Sequence, residues 1–437
     1  MCDTLVAFQP SPATQVLFGK NSDREPNEAQ AILRYPNQTW APGAELHCTY
    51  ITIPQVRQTH TIIVSKPFHM WGAEMGVNEY GVMAGNEAIF SRVKLPGKNT
   101  GLTGMDLLRL GLERATSADA CLEVITELLY VYGQDACGGY KNKRFFYHNS
   151  FIIADPHKAW VLETIDREWV AREVQGVDTI SNGLTITDDY TLCSKNLFMQ
   201  ARAKGWFKAV SSHSFRDIYT DRLYTHFSAC KVRQQLTAGA VQSPALAAAD
   251  IMQVLGHHAA GFHPSRATAS EGCMHATSML NPSQTTGSMV VNWPREGTPV
   301  VWLTGTSTPC LSVYKPFFLD SELLNHQDWN NPGISLDQSL WWQAEQIHRY
   351  INRHYAQLSA EYLASKNALQ KIFIKYSVTM QSSSQTERHQ WSESCLKDYQ
   401  NFLEAWQTKL SFRKPKPEGQ LWFKWYQKQQ NKAVGLT

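Results

Sequence analysis

Segments with strand and helix patterns occur in groups along this chain rather than in regular alternation. Short runs rich in β-branched and aromatic residues predict strands. Segments with apolar residues at steps of three and four predict helices, and the two clearest helices follow each other in the sequence. We predict strands at 2–8, 15–19, 61–65, 82–85, 151–154, 159–165, 168–174, 286–292 and 299–304, and helices at 104–115, 117–132, 194–204, 216–236 and 245–257. This grouping favours an α+β layered core, because a parallel α/β sheet needs strands and helices in regular alternation.

The character of the sequence changes after about Pro316. Two apolar stripes with helical spacing follow, one over 340–362 and one over 391–410, with a polar linker at 380–385 between them. This pattern predicts a helical hairpin packed on the core or on a second subunit of a homo-oligomer. We therefore divide the chain into a domain at 1–320 and a helical extension at 321–437.

The overall composition is that of an ordinary globular protein. Hydrophobic residues make up 43% of the 437 residues and charged residues 18%, which excludes wholesale disorder. The formal net charge of +3 gives no general reason to expect nucleic acid or a membrane as a partner. No stretch approaches ~18 uninterrupted apolar residues, and the first residues show no signal-like pattern, so we predict a cytoplasmic protein.

Cysteine and histidine spacing gives no metal-binding motif. The nine cysteines are dispersed and include no Cys-x-x-Cys, which predicts reduced and mostly buried thiols. His257, His258 and His263 form a cluster that could suggest a metal ion. However, adjacent histidines point to different faces of a helix, and no nearby carboxylate completes a site. We therefore predict no metal site and no cofactor.

Cysteine at position 2 has the strongest claim to chemistry. The chain has no Gly-x-Ser-x-Gly, phosphate-loop or His-Glu-x-x-His motif. Met1 is normally removed when the next side chain is small, and its removal would place a thiol and a free α-amine on the same carbon. Such an amine has a pKa of ~7.7–8.0 and can act as the base for its own side chain. The alternative is an ordinary terminal cysteine without a role.

Three other segments carry polar residues that could serve such a nucleophile. If the first two strands pair antiparallel, Asp23 approaches the Cys2 amine and could hold or orient it. Residues 71–87 combine four glycines with two asparagines, and Asn182 lies at the end of a predicted strand. Taken alone, the last two segments are equally typical of turns.

Together these segments resemble the secernin/dipeptidase family of N-terminal-nucleophile (Ntn) hydrolases, which is distantly related to penicillin V acylase and bile-salt hydrolase. The most specific part is Trp-Gly-Ala-Glu-Met-Gly at 71–76, followed by Gly-Asn-Glu-Ala-Ile at 85–89. The resemblance extends over roughly residues 2–320. It implies a four-layer αββα sandwich, to which the predicted helical hairpin would be an appendage.

The resemblance also implies catalytic roles. Cys2 would be the nucleophile, and Asp23 would steady its α-amine. Asn86 and Asn182 would help to bind the developing oxyanion, together with backbone amides near 85–87.

Substrate-binding roles are assigned more indirectly. Lys20 lies where the acylase relatives usually carry arginine, although an ammonium group lacks the planar fork of a guanidinium. Arg266 is the candidate for the second arginine of those relatives. His275 is a candidate residue beside the substrate, with a core histidine bonded to a backbone carbonyl as the alternative. Trp71 is a candidate pocket wall or core residue.

The function implied is a hydrolase that cleaves amide bonds of small substrates. We expect a dipeptidase with a small peptide as substrate. The alternatives are an acylase acting on N-acyl amides and a non-catalytic, secernin-like regulatory protein. Retention of both Cys2 and Asp23 favours a working enzyme.

The C-terminal segment combines basic and aromatic residues, a composition that could bind nucleic acid. However, Leu421, Trp422, Trp425 and Tyr426 share one helical face, and lysines recur every four residues on another. We interpret this as an amphipathic helix that docks its aromatic side on the protein and leaves a solvated basic face. We therefore predict no nucleic-acid partner.

Overall fold

The computed structural model describes residues 2–9, 14–206, 214–243 and 245–436. Met1, whose removal is predicted above, lies outside this set. The chain forms two compact units. The first contains the chain up to Phe8, Tyr35–Val64 and Met70–Gln242, and the second contains Gln9–Arg34, Ser65–His69 and the chain from Ser243 onward. The predicted domain boundary at 320 stays a prediction.

Antiparallel strands and helices make up both units. The strands are β1 (Cys2–Phe8), β2 (Thr14–Arg24), β3 (Gln30–Tyr35), β4 (Gln38–Thr39), β5 (Glu45–His47), β6 (Thr52–Pro54), β7 (Gln58–Thr59), β8 (Ile62–Pro67), β9 (Met75–Asn78), β10 (Met83–Ile89), β11 (His148–Ala154), β12 (Ala159–Ile165), β13 (Glu168–Glu173), β14 (Val177–Ile180), β15 (Leu192–Cys193), β16 (Gln284–Pro294), β17 (Val300–Leu303) and β18 (Lys315–Phe317). The helices are α1 (Gly104–Arg114), α2 (Ala118–Tyr132), α3 (Met199–Ala203), α4 (Phe215–Tyr219), α5 (Arg222–Phe227), α6 (Cys230–Ala240), α7 (Ala248–Leu255), α8 (Leu340–Arg353), α9 (Tyr355–Met380), α10 (Gln385–Ser411) and α11 (Leu421–Lys432), with 3₁₀ helices at Pro264–Arg266, Glu322–Leu324 and Asp328–Asn330.

The first unit contains four layers. Its large sheet has the strand order β15-β13-β12-β11-β10-β9-β8. Helices α1 and α2 pack on this sheet, β1 packs against β10 and β11, and α6 packs on β1 and its partner β14. Asn86 of β10 contacts Met105 of α1, whereas the next residue, Glu87, contacts Thr4 of β1. Successive side chains of a strand point to opposite faces, so helix and small sheet lie on opposite sides of the large sheet. The predicted αββα arrangement and the α+β class are confirmed.

Local sequence signals explain why α1 begins where it does and packs so closely. Thr103 caps the helix and forms a reciprocal capping box with Asp106. Gly72, in the segment that carries the family resemblance, lies against the helix backbone. A Cβ atom at Gly72 would come within 2.3 Å of the carbonyl carbon of Met105, so only glycine fits there.

The second unit is built on the strand order β2-β16-β17-β18, with α7 packed on β2 and β16. The β2–β16 ladder shifts register between Thr285 and Gly287, which leaves a bulge beside Asp23. Helices α9 and α10 pack on β18 and on each other. Trp341, Trp342 and Val434 join Ala29 in one buried cluster, so the end of the chain is part of this unit's core.

Several helix predictions are wrong in extent. The helix predicted at 216–236 is broken into α4, α5 and the first part of α6, and Ala229 before α6 takes a left-handed backbone conformation with φ 48°. The helix predicted at 194–204 is reduced to the single turn of α3. The stripe over 340–362 is divided between α8 and α9 at His354, whose φ of −134° is not helical. None of these breaks is marked by glycine or proline, the residues that usually announce a helix end.

The predicted docking face of the last helix is also wrong. Of the four residues assigned to it, only Tyr426 is buried, and Phe423 is buried beside it. Leu421 is 85% exposed, and Trp422 and Trp425 are about half exposed. The helix is rotated relative to this prediction, so that Phe423 and Tyr426 pack on the protein and Trp422 and Trp425 face solvent. Among the described residues, no helix is long and apolar enough to cross a membrane.

Candidate functional site

Cys2 lies at the start of β1 in the first unit and is 5% exposed. The hydroxyl of Thr4, two residues further along the strand, donates to the carboxylate of Glu87 on the large sheet. Because residues two apart in a strand share a face, Cys2 lies on the side of β1 that faces the large sheet. Asp3, between them, faces α6.

Asn182 is placed opposite Cys2 by the register of the β1–β14 ladder. Thr4 pairs with Ile180 in that antiparallel ladder, and continuing the register past Asp3 and Ser181 brings Asn182 opposite Cys2. The backbone nitrogen of Cys2 donates to Oδ1 of Asn182 over 2.7 Å, and Nδ2 of Asn182 donates to the carbonyl of Ala88 over 2.8 Å. In this chain the Cys2 nitrogen belongs to the Met1–Cys2 peptide bond, and it stands for the α-amine that Met1 removal would create.

Arg233 is a member of this cluster that the sequence analysis missed. Its side chain is fully buried, and Nη2 donates to Oδ1 of Asn182 over 2.7 Å and to the Ser181 hydroxyl over 2.9 Å. Its Nε lies 3.0 Å from the carboxylate of Asp3, and Nη1 donates to the carbonyl of Ser228. Arg233 thus ties α6 to both strands of the small sheet. No local pattern distinguishes it from the other basic residues of this region.

The second predicted asparagine, Asn86, is directed elsewhere. Its Nδ2 lies 3.1 Å from Oδ1 of Asn149 and 3.5 Å from the sulfur of Met105, on the α1 side of the large sheet. Glu87 is the residue that faces β1. The oxyanion role of the Asn86 amide stays a prediction, and this placement weighs against it.

Trp71 packs on a cation of the α1 layer. The guanidinium of Arg109 lies 4.1 Å from the centre of the Trp71 ring and 3.9 Å from that of Tyr35, and it donates to the Trp71 carbonyl. Arg109 also forms a buried ion pair with Glu113. These contacts make Trp71 part of a structural stack, and its role as a pocket wall stays a prediction.

The loop after Asn182 is held by a buried carboxylate. Glu163 of β12 accepts hydrogen bonds from the backbone amides of Thr185 (2.5 Å) and Ile186 (3.2 Å) and from the Thr185 hydroxyl. Burial raises the pKa of Glu163 to about 7, although these hydrogen bonds act to lower it. The position of the Asn182 loop is therefore linked to a group that titrates near neutral pH.

A cavity of about 630 Å³ lies in the same unit, lined by residues that flank Asn182 and Arg233 in the sequence. Its lining includes Leu184, Ala229, Arg222 and Lys231, and an Arg216–Asp217 ion pair. Three basic side chains and one carboxylate among these lining residues make the cavity suited to an anionic group.

Lys20 and Asp23 lie in β2 of the second unit, and both side chains are buried. Nζ of Lys20 lies 3.4 Å from the carbonyl of Asn21. Oδ1 of Asp23 accepts from the Thr285 hydroxyl over 2.5 Å, and that hydroxyl in turn accepts from the backbone amide of Met274 over 2.8 Å. Asp23 is thus held by its neighbour across the β2–β16 ladder. Its predicted contact with the Cys2 amine stays a prediction.

His275 and Arg266 also belong to the second unit but have different environments. His275 is 3% exposed, and its Nε2 lies 3.6 Å from the sulfur of Cys273 and 3.3 Å from that of Cys310. Arg266 is exposed at the end of a short 3₁₀ helix. Their substrate-binding roles stay predictions.

Comparison with known families adds to this geometry. Residues 41–238, which include β10, Asn182 and Arg233, match the model described as Peptidase family C69. The match covers rather less than half of the chain and agrees with the resemblance carried by the glycine-rich segment at 71–89. Peptidases hydrolyse amide bonds, so this match supports an amide-bond hydrolase.

Three solved structures are similar to this chain at low identity. They are penicillin V acylase from Agrobacterium tumefaciens (13% identity, 69% of this chain and 82% of that chain, TM-score 0.39), the C2A mutant of conjugated bile acid hydrolase from Clostridium perfringens (12%, 78% and 98%, 0.37) and the Caenorhabditis elegans N-acylethanolamine-hydrolyzing acid amidase ortholog (10%, 67% and 92%, 0.35). At these values the likeness says nothing about the substrate.

Proposed function

We propose that this chain is a secernin-type cysteine Ntn hydrolase that acts as a dipeptidase, with Cys2 as nucleophile once Met1 has been removed. The observation that carries the proposal is the 2.7 Å hydrogen bond from the Cys2 nitrogen to Asn182, a residue of the segment that matches a peptidase family. An ordinary terminal cysteine would not need its nitrogen buried and fixed by an amide oxygen that also binds a buried arginine.

The environment of the Cys2 nitrogen suits a neutral amine. Arg233 and the Cys2 nitrogen donate to the same oxygen of Asn182, so a positive charge lies close to the amine. A nearby cation disfavours a second positive charge, although the carboxylate of Asp3, 3.0 Å from Nε of the same guanidinium, opposes this effect. The neutral amine is the form that can accept a proton from the thiol.

The reaction would then run through a thioester. The α-amine takes the thiol proton, and the Cys2 sulfur attacks the carbonyl carbon of the substrate. The tetrahedral intermediate collapses with cleavage of the C–N bond, and the α-ammonium returns its proton to the leaving amine. Water, deprotonated by the same amine, attacks the thioester and releases the carboxylic acid product and the free thiol.

Asn182 could serve the oxyanion as well as the amine. Its Nδ2 carries two N–H groups, of which one donates to Ala88. The other could donate to the developing oxyanion during attack. This would give one side chain two roles at opposite ends of its amide.

A dipeptide substrate is favoured by the charge of the cavity in the first unit. Every dipeptide carries a free carboxylate, and Arg222 and Lys231 in the cavity lining could bind it. We therefore expect a dipeptide to be a better substrate than its C-terminal amide. Replacing Arg222 with alanine should raise KM for the dipeptide and leave KM for the amide nearly unchanged.

The proposal is tested by a substrate panel assayed with Met-trimmed protein, its Cys2→Ala variant and a form in which Met1 is retained. The panel holds dipeptides, dipeptide amides, N-acyl amino acids and conjugated bile acids. Hydrolysis of dipeptides by the trimmed protein alone supports the proposal. Preference for acyl amides would make the chain an acylase, and no turnover by fully trimmed, folded protein would favour a regulatory role.

A further inference from the structure

Four side chains with metal-binding atoms converge in the second unit. They are His258, Cys273, His275 and Cys310, and their ligand atoms all lie within 4.8 Å of one another. Cys273 and His275 are buried, and His258 and Cys310 are partly buried. They come from two segments of the chain, one after α7 and one after β17.

The spacing of these atoms fits a tetrahedral metal site. With bonds of about 2.0–2.1 Å to nitrogen and about 2.3 Å to sulfur, neighbouring ligand atoms of tetrahedral zinc lie roughly 3.3–3.8 Å apart. Nε2 of His275 lies 3.6 Å from the sulfur of Cys273 and 3.3 Å from that of Cys310. Both distances fall on the edges of such a tetrahedron.

The surroundings of His258 supply a second, independent observation. Its Nδ1 lies 3.3 Å from the carboxylate of Glu271, which also accepts from the backbone amide of Ala259. Its Nε2 is buried, and no hydrogen-bond partner is found for it among the described residues. A carboxylate on one ring nitrogen, with the other directed at the ligand cluster, is the arrangement that orients histidine for a metal. Phe262 stacks on the His258 ring and shields it.

The segment that carries three of the four ligands has little regular structure to hold it. Residues 256–283 run from the end of α7 to the start of β16 and contain one 3₁₀ helix, at Pro264–Arg266. Long irregular segments inside a compact unit need a constraint other than secondary structure. A metal bound by His258, Cys273, His275 and Cys310 would join this segment to the loop after β17.

We propose that His258, Cys273, His275 and Cys310 bind one structural Zn²⁺ ion. Two thiolates and two imidazoles in tetrahedral spacing are the donor set that zinc prefers, and four protein ligands leave no open position for catalysis. This reverses the prediction of no metal site. The sequence argument found no carboxylate near the adjacent histidines, but Glu271 folds back on His258 from thirteen positions away. The proposed site also makes His275 a zinc ligand rather than a residue beside the substrate.

The proposed zinc would also position Asp23. Met274 lies between the ligands Cys273 and His275, and its amide donates to the Thr285 hydroxyl that binds Asp23. Fixing both neighbours of Met274 fixes this chain of hydrogen bonds. The consequence for catalysis rests on the proposed function, whereas the zinc site does not.

The first experiment measures metal in the reduced, full-length protein. We expect about one zinc per chain by elemental mass spectrometry after purification without added metal. Protein stripped with a chelator should take up Co²⁺ and show the visible bands of a tetrahedral thiolate site, and Zn²⁺ should displace them. The absence of both zinc and the cobalt bands would overturn the proposal.

Variants then locate the ion. Cys310→Ser should lose zinc, and Cys395→Ser, which changes a buried cysteine of α10, should keep it. Glu271→Gln should bind zinc about 10–100-fold more weakly, because it loses the carboxylate that orients His258. This variant keeps all four ligands and serves if Cys310→Ser does not fold. Unchanged zinc content in Cys310→Ser would also overturn the proposal.

Two rival structures for the cluster have distinct signatures. A disulfide between Cys273 and Cys310 would appear as a loss of two hydrogen atoms in the mass of the isolated, unreduced chain. Alternatively, Cys310, His258 and Glu271 could form a reactive thiol–imidazole–carboxylate group, beside a cavity of about 550 Å³. Rapid alkylation of Cys310 in purified protein, unaffected by Zn²⁺, would support that reading against ours. Protection of Cys310 by Zn²⁺ would support the zinc site.

Discussion

The molecule uses cysteine in two clusters that differ in construction. In the first unit, Cys2 is held through its backbone nitrogen by Asn182, and a charged network of Arg233 and Asp3 supports that asparagine. In the second unit, Cys273 and Cys310 contribute their sulfur atoms to a cluster with two histidines. The first arrangement fixes its cysteine through the backbone nitrogen, and the second engages the thiols directly. A nucleophile needs the former, whereas a structural metal ligand needs the latter.

The largest expected effect is the loss of hydrolysis on replacing Cys2, a change that should leave the second cluster intact. Cys2→Ala should reduce hydrolysis at least ~10³-fold, because the nucleophile is lost, while the protein keeps its zinc and its fold. Cys273→Ala should lose zinc whether or not activity survives. Turnover and elemental zinc, measured on the same preparations, test both expectations. Wild-type hydrolysis by Cys2→Ala would show that the first cluster is not catalytic.

The next effect concerns the buried ion pair that supports Asn182. Arg233→Met should destabilise the protein by about 3–5 kcal/mol, because Asp3 would remain buried without its partner. Adding Asp3→Asn to Arg233→Met should recover part of the lost free energy of unfolding. The exposed Arg266→Met is the matched control and should change stability by no more than about 0.5 kcal/mol. Denaturant unfolding measures all three, and equal effects at positions 233 and 266 would contradict the assignment of Arg233.

The ease with which each cluster could be found in the sequence differs for physical reasons. Cys2 was identified from its position alone, and Asn182 followed from a strand end and a family resemblance. The helices α1 and α2 were predicted almost to the residue, because strong periodicity and the cap at Ser117 agree. Local signals were sufficient for these features.

Other features depend on tertiary contacts that no local pattern encodes. Arg233 meets Asp3 across 230 positions of the chain, and Cys310 meets His275 across 35. The orientation of Asn86 depends on which face of β10 meets α1, and the glycine-rich segment does not determine that. The breaks between α4, α5 and α6 carry no glycine or proline, so a continuous helix was the natural expectation from the sequence.

A pH effect of intermediate size should appear in the first unit. The folded-state pKa of Glu163 is raised to about 7 from 4.5, so the folded protein binds more protons than the unfolded chain between these values. Glu163 therefore contributes most to the free energy of unfolding below pH 4.5. This contribution, roughly 3 kcal/mol, should be lost as the pH rises through 7.

Glu163→Gln tests this assignment, because an amide does not titrate. Unfolding measured at pH 5 and pH 7.5 should show a smaller difference in this variant than in the parent protein. The exposed Glu127→Gln should keep the parental difference. If the unfolding free energy changed equally between pH 5 and pH 7.5 in Glu163→Gln and in Glu127→Gln, another group would cause the pH dependence.

The smallest effect comes from a cysteine that belongs to neither cluster. Cys395 of α10 is 2% exposed, and burial, with a smaller effect of Asp398, raises the pKa of its thiol, so it should behave as a small apolar side chain. Cys395→Ala removes one buried sulfur and should cost about 1 kcal/mol of unfolding free energy. Zinc content and hydrolysis should remain those of the parent protein. If this substitution lowered either of them, cysteine replacement anywhere in the core would disturb the sites, and the losses expected at Cys2 and Cys310 could not be attributed to their chemistry.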